Sequence, residues 1–413
     1  MRGEPLGPLH GVPFSAKTSI EVQGQCYDTG SRLRAGFIGE VDAPIVLRLK
    51  AAGAIFLGMT NVPELLMAWE TDNLLHGRTN SPWSLEHTPG GSSGGEAAAI
   101  AAGMSPVGIG SDGGGSIRVP AHFSGICGLK PTPGRIPISG HFPPSGGPFA
   151  LLGVVGPMAR TVADLQILFD VMSGYDFRDP AAAPVLVRHL QPTQLNGVRV
   201  SVCEESEVPV AAEVREAVRL AADALRDAGM EPQPASLPWL VDARRLWWTF
   251  FGQAGAKVLG PMLEGHESEL SPILAQFRSY AAAAGELTDG DVLAAWLQRD
   301  ELRLRVLAEM QDCPVLLCPP CSIAAFRHRE RNWTISGRPV TYVNDHPGMP
   351  DVMSYSEAFN LLGFPAAVVP VQQTEDGLPV GVQVVGRPFE EETVLAVAAI
   401  LDAAFGFRPP PVS

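Results

Sequence analysis

Residues 89–120 run Pro89-Gly-Gly-Ser-Ser-Gly-Gly-Glu96, Ala97-Ala-Ala-Ile-Ala-Ala-Gly103, Met104-Ser-Pro-Val-Gly-Ile-Gly110 and Ser111-Asp-Gly-Gly-Gly-Ser-Ile-Arg-Val-Pro120. Two glycine clusters, each carrying serine, flank Glu96–Gly103, which reads as a short helix of strong helix formers. Glycine at this density lets the backbone bring bare N–H groups close to a ligand. A helix starting after Gly94-Gly95 would aim its own N–H groups and positive dipole end into the same space. Ser92, Ser93 and Ser116 therefore sit in backbone able to present hydroxyls beside an anion-binding nest, an arrangement suited to acyl transfer.

Outward from this stretch, helical and strand patterns alternate, which makes the class α/β. Residues 9–22 read as a strand pair around one cation, Lys17, set among Phe14, Ala16 and Ile20. An edge-strand lysine would snorkel into water, whereas a buried one would be a neutral amine able to take a proton. A helix over 42–52 stops at Gly53, and a strand follows at 54–59. Pro63–Trp69 reads as a further helix, and 121–129 as a buried run. Thr161 caps a helix over 162–172 with Asp164 at its third position. Residues 175–196, rich in Pro and Asp, form the one plausible linker. A strand at 198–203, a helix at 211–228 stopped by Gly229, and a mostly helical stretch to 310 follow. That stretch holds Trp239, Leu246, Trp247, Trp248, Phe250 and Phe251, either a core helix or an apolar substrate wall. The chain closes with a strand at 314–318, a loop at 327–350 that could arch over a site, a helix at 354–362, strands at 366–371 and 380–385, and a helix at 391–405.

Hydrophobic residues make up 46% of the 413 and charged residues 18%, enough for a sizeable core and too apolar for disorder. The net charge of −14 disfavours phosphate backbones and anionic lipid surfaces as partners. Only Lys17, Lys50, Lys130 and Lys257 are lysines, so nearly all the positive charge is arginine. Six scattered cysteines and a start without an apolar leader run suggest reduced thiols in a cytoplasm. No run approaches the length of a membrane span.

Several motifs fail on their context. Gly108–Gly113 fits G-x-G-x-x-G, but Gly-Gly-Ser-Ile-Arg-Val-Pro120 does not read as the helix a dinucleotide site needs. Ser92 and Ser93 each fit G-x-S-x-G, yet the polar Ser84–Pro89 is no strand for a nucleophile elbow. No Walker lysine follows either cluster. Pro-Pro between Cys318 and Cys321 prevents the helical turn of a redox pair, and the nine histidines show no metal spacing.

The stretch 90–121 closely resembles the defining segment of the amidase signature family. The resemblance extends to Gly11–Lys17, Thr60–Glu64, Gly128–Thr132, Gly156–Arg160 and Gly377–Gln383. It leaves out about 180–310. Gly95-Glu96 and Gly363–Val371 look most like the fatty acid amide hydrolase branch and its bacterial relatives. The resemblance implies one large domain spanning 1–413, a mixed β-sheet core covered by helices on both faces. The core is expected at 1–175 and 311–413, with a variable, mostly helical substrate-side region at about 180–310.

The implied activity is hydrolysis of a carboxylic amide through an acyl-serine, without metal or cofactor. Ser116 is the implied nucleophile, Ser92 the bridging serine on a cis peptide and Lys17 the base. The N–H groups of Gly113, Gly114, Gly115 and Ser116 form the implied oxyanion hole. Ser93, Asp112 and Arg118 are expected to support it. A serine needs an adjacent base, a lone lysine serves only if burial keeps it neutral, and a second serine can relay the proton. The expected partner is a small, partly apolar amide, with a homodimer as a candidate assembly. The family lysine usually follows several dozen helical residues, whereas here it is residue 17, and position 111 is Ser where the family commonly has Thr. The alternative within the family is the glutaminase or amidotransferase A-type subunit that supplies ammonia for tRNA-bound substrates. That branch follows Lys-Pro-Thr with Tyr-Gly-Arg, and this chain has Lys130-Pro-Thr-Pro-Gly-Arg135 instead.

Overall fold

A computed structural model describes residues 6–144, 146–342 and 351–411. Its centre is one ten-stranded sheet. In spatial order the strands are Ile55–Thr60, Pro13–Lys17, Val107–Asp112, Val154–Ala159, Cys127–Lys130, Ala366–Gln373, Pro379–Gly386, Val315–Cys318, Arg199–Val202 and Glu231–Pro234. The middle of the sheet is antiparallel, and the two flanks are parallel. The sheet is therefore mixed, and less parallel than the alternation of patterns suggests. Val107–Asp112, Val154–Ala159 and Pro379–Gly386 are buried at every residue, as strands are when both faces of their sheet are covered. Helices Glu391–Phe405, Val162–Met172, Ala212–Asp227 and Arg118–Ser124 pack against these strands. The outermost strand, Glu-Pro-Gln-Pro, carries two prolines, which suits an edge that must not recruit another strand.

Many boundaries follow local chemistry. Thr161 accepts from the Asp164 N–H to cap 162–172. Gly53 and Gly229, at φ +92° and +88°, end their helices in the left-handed region. Helices 354–362 and 391–405 span their expected residues.

Other elements depart from the pattern. Val107–Asp112 is a strand although glycine fills alternate positions, because Val107 and Ile109 are held between two neighbouring strands. The residues after the second glycine cluster do form a helix, Arg118–Ser124, ended by Gly125 at φ +68°. The expected helix at 63–69 is one 3-10 turn, Glu64–Leu66, with Leu65 and Leu66 at φ +50° and +69°. Buried Glu64 overrides helix propensity by accepting from the Ser31 hydroxyl and the Ser271 N–H. Residues 175–196 are no linker: Asp179 is buried and accepts from the Ile138 N–H, and Arg135 donates to the Leu186 carbonyl. Arg199–Val202 and Glu231–Pro234 extend the common sheet, so the 180–310 region adds two strands to it, with the helix Ala212–Asp227 between them and further helices after them. Part of the 327–350 loop is a hairpin, Asn332–Ile335 with Arg338–Thr341, and 343–350 lies outside the described residues. Among the described residues no helix is long and apolar enough to cross a membrane, and the six cysteines are unpaired.

Candidate active site

Lys17 ends its strand inside the sheet, beside Val107–Asp112, and is fully buried. It is not a snorkelling edge residue. Its Nζ lies 2.6 Å from Ser92 Oγ and 3.0 Å from both Ser93 Oγ and Ser111 Oγ, with the Ser111 carbonyl at 3.4 Å. These neighbours are hydroxyls and a carbonyl, not carboxylates, so they solvate the amine without charging it. Burial lowers the Lys17 pKa to about 7, against the opposing pull of the Asp112 and Glu96 charges. Glu96 is buried in its turn, bonded by the Ser15 hydroxyl and by Thr60 at 2.7 Å, and burial raises it to about 7.

The Gly91–Ser92 peptide is cis, and Ser93 opens the helix Gly94–Ala101. Ser93 Oγ bonds to both the carbonyl and the N–H of Ser111, which ties the first glycine cluster to the strand beside Lys17. The second cluster is held by Asp112 and Arg118, both fully buried and paired at 3.0 Å. Asp112 also accepts from the N–H groups of Gly115 at 2.7 Å and Ile117 at 3.0 Å. Burial pushes its carboxyl up, but the Arg118 guanidinium outweighs that and holds it well below the usual carboxylate range. Arg118 reaches on to Gln383 and Asn360, and Asn360 donates to the Asp112 carbonyl at 3.1 Å.

Two indoles fix the glycines between. Trp247 donates to the Gly113 carbonyl at 2.7 Å and Trp69 to the Gly114 carbonyl at 3.0 Å. In a planar trans peptide the N–H points opposite its C=O, so each indole also orients the next residue's N–H. Gly115 must be withdrawn from the expected oxyanion donors, because its N–H is spent on Asp112; Gly113, Gly114 and Ser116 remain. Gly115 sits at φ +116°, and a Cβ on Gly114 would lie 2.5 Å from the Trp247 ring, so neither position accepts a side chain.

Two cavities meet at Ser116, whose residue is 8% exposed. One is bordered by Ser92, Ser111, Asp112, Gly113, His141 and Leu152 among others. The other is walled by Trp69, Trp247, Trp248, Phe251 and Phe277. Leu66, Met67 and Phe251 border both, so the turn at Leu65-Leu66 buries Leu65 in the core and places Leu66 and Met67 at the site. The aromatic segment thus divides. Trp239 and Phe250 are core, while Trp247, stacked 4.6 Å from Phe251, and Trp248 form the wall. A π-helical turn at Thr249–Ala254 carries Phe251 to that wall.

The structure brings Lys17, Ser92, Ser93, Asp112, Arg118 and Ser116 into one neighbourhood. Reading by motif passed over Ser111, Trp69, His141 and Asn360. Position 111 was visible only as a departure from the family pattern. Cys26 and Asp28, two residues apart, also converge with the distant His76, and the three border neither cavity.

The ten-stranded mixed sheet thus carries a buried lysine among serines, beside a glycine-rich turn. Residues 1–395 match the Amidase family, and the chain belongs to it. A "Putative amidase AmiB2" of Mycobacterium tuberculosis is 36% identical across 100% of this chain and 86% of its own length. The A-type component of the glutamyl-tRNA(Gln) amidotransferase of Chloroflexus aurantiacus is 33% identical across 96% of this chain and 83% of its own length. Among solved structures, a bacterial aryl acylamidase of the amidase signature family superimposes with a TM-score of 0.84 at 27% identity, covering 98% of this chain and 85% of that one.

Proposed function

We propose that this amidase cleaves the C–N bond of an uncharged, partly apolar acyl amide through an acyl-Ser116 intermediate. The observation that carries the proposal is Lys17 Nζ, buried and 2.6 Å from Ser92 Oγ, at a cavity that Ser92 shares with Ser116. Neutral Lys17 takes the proton of Ser92 as Ser92 takes that of Ser116, and the Ser116 oxygen adds to the carbonyl carbon. The N–H groups of Gly113, Gly114 and Ser116 bind the resulting oxyanion, each donor worth about 3–4 kcal/mol of barrier. Ser92 then protonates the leaving nitrogen and is reprotonated by Lys17. The C–N bond breaks, and water hydrolyses the acyl-serine by the same relay run again.

Labelling with a serine-directed fluorophosphonate tests the assignment. The adduct is expected on Ser116 and absent in Ser116→Ala; an adduct on Ser93, or none in folded protein, refutes it. The similarity to the amidotransferase component favours one second reading, release of ammonia from glutamine for a tRNA-bound acceptor. Glutamine turnover dependent on added partner proteins would establish it, but the aromatic lobe suits an apolar acyl group better than a second carboxamide. The proposal takes the small amide as the partner, in a cytoplasm, with no nucleic acid given the charge of −14. A homodimer is testable by light scattering.

A further inference from the structure

Only one of the two lobes that meet at Ser116 also contains Ser92. If Ser92 returns the proton to the leaving nitrogen, as proposed above, that nitrogen lies in the Ser92 lobe and the acyl group in the aromatic one. An amide nitrogen loses conjugation as the carbonyl is attacked, and its lone pair must then face the Ser92 hydroxyl. Its N–H bonds point elsewhere and need an acceptor. The acceptors bordering this lobe are mostly taken. Asp112 is occupied by Arg118, Gly115 and Ile117, and Ser111 faces Lys17.

His141 is the exception. Its loop is anchored just beyond Lys17, where the Phe142 N–H donates to the Ser19 carbonyl at 2.8 Å and Ile20 bridges to His141. Its Nδ1 lies 3.0 Å from the Pro143 carbonyl. A carbonyl only accepts, so Nδ1 carries the hydrogen and Nε2 carries the lone pair. Nε2 is buried with no partner among the described residues. Burial, with the Lys17 charge nearby, lowers the ring's pKa to about 4 and keeps it neutral. We infer that His141 Nε2 accepts a hydrogen bond from the leaving-group N–H, making His141 a specificity residue that selects amides over esters of the same acid.

The inference rests on the proposed roles of Ser92 and Ser116, and the test separates the two. For wild type and His141→Phe, kcat/KM is measured on a primary amide and on the methyl ester of the same acid, alongside the fluorophosphonate labelling rate. Ester and fluorophosphonate carry no leaving N–H. The amide-to-ester ratio should fall about tenfold in His141→Phe, the worth of one hydrogen bond, while the ester and label lose less. His141→Gln, whose side-chain carbonyl can accept, should recover part of the ratio. An unchanged ratio with Ser116 still labelled overturns the role of His141 alone, whereas wild type that does not label at Ser116 overturns the catalytic reading beneath it. Should His141→Phe fail to fold, ring ¹⁵N spectra of the wild type decide. A protonated Nδ1 with a bare Nε2 supports the inference, and an Nε2–H tautomer refutes it.

Discussion

Amide turnover should fall steeply as the solution is acidified below pH 7, because the base must be an uncharged amine. Lys17 is lowered to about 7, first by burial, and its protonated form cannot accept from Ser92. At pH 8 a group with that pKa is about 90% neutral, and at pH 5 about 1%, so kcat/KM should drop by up to about 90-fold between them, less where Glu96 loses its charge over the same range. With an ordinary lysine pKa the neutral fraction at pH 8 would be only about 0.3%, and the rate would climb until about pH 10. The assay is ammonia release from a primary amide between about pH 5 and 10, with the fluorophosphonate inactivation rate followed in parallel. Both should level off above about pH 8. His141, lowered to about 4, titrates outside this window. Two variants identify the group responsible. Glu96→Gln removes a charge that raises Lys17 while keeping hydrogen-bond capacity toward Ser15 and Thr60, so the limb should move to lower pH. Lys130 is also lowered to about 7, but it donates to the Pro131 carbonyl and borders neither cavity, so Lys130→Met should leave the limb in place. A rate still rising at about pH 9.5, or a limb that follows Lys130, would refute the neutral-amine mechanism.

Ser92→Ala should keep its fold by circular dichroism yet lose about 10²–10⁴ in kcat, since the relay is broken while binding groups remain. Arg118→Met should cost about 3–5 kcal/mol in denaturant unfolding, because it strands the buried Asp112 carboxylate. Adding Asp112→Asn should recover part of that loss, a coupling that a double-mutant cycle reads directly. Trp247→Ala removes a side chain that is 1% exposed and the donor to the Gly113 carbonyl. It should cost about 3–5 kcal/mol in stability. It should also lower kcat/KM further for an aryl or long-chain acyl amide than for acetamide.

The parts of the site that lie within one local pattern were legible in the sequence. Ser92, Ser93 and the helix behind them announce themselves through glycine followed by alanine, and Lys17 through its apolar neighbours. Residues delivered by distant chain were not. Trp69 and His141 reach the site because of how the sheet is ordered, and nothing in their own neighbourhoods signals it. In the aromatic run 239–251 eight of thirteen positions are large and apolar, and four of the last five are aromatic, so periodicity alone does not separate the core residues Trp239 and Phe250 from the wall residues Trp247 and Phe251. The π-turn that begins at Thr249 changes the helix phase. Glycines hid the strand Val107–Asp112, since they pack no side chain and lower strand propensity. The space those glycines leave is filled from outside: a Cβ on Gly108 would collide with the Glu96 carboxylate, and one on Gly110 would crowd Ser93 Oγ.

That filling accounts for the balance struck at Lys17. A strand buried on both faces would by itself drive a lysine far below its solution pKa, leaving an amine too weakly basic to draw a proton from serine. Glu96 and Asp112 act in the opposite sense, and their charges partly restore the basicity that burial removes. Asp112 is fixed in its charged form by Arg118, so its contribution is constant. Glu96, raised to about 7, changes charge over the range in which Lys17 does. The two therefore titrate as a coupled pair, and Glu96→Gln should alter the shape of the acid limb as well as its position. A limb that shifts without changing steepness would mean that Glu96 acts on Lys17 as a fixed charge.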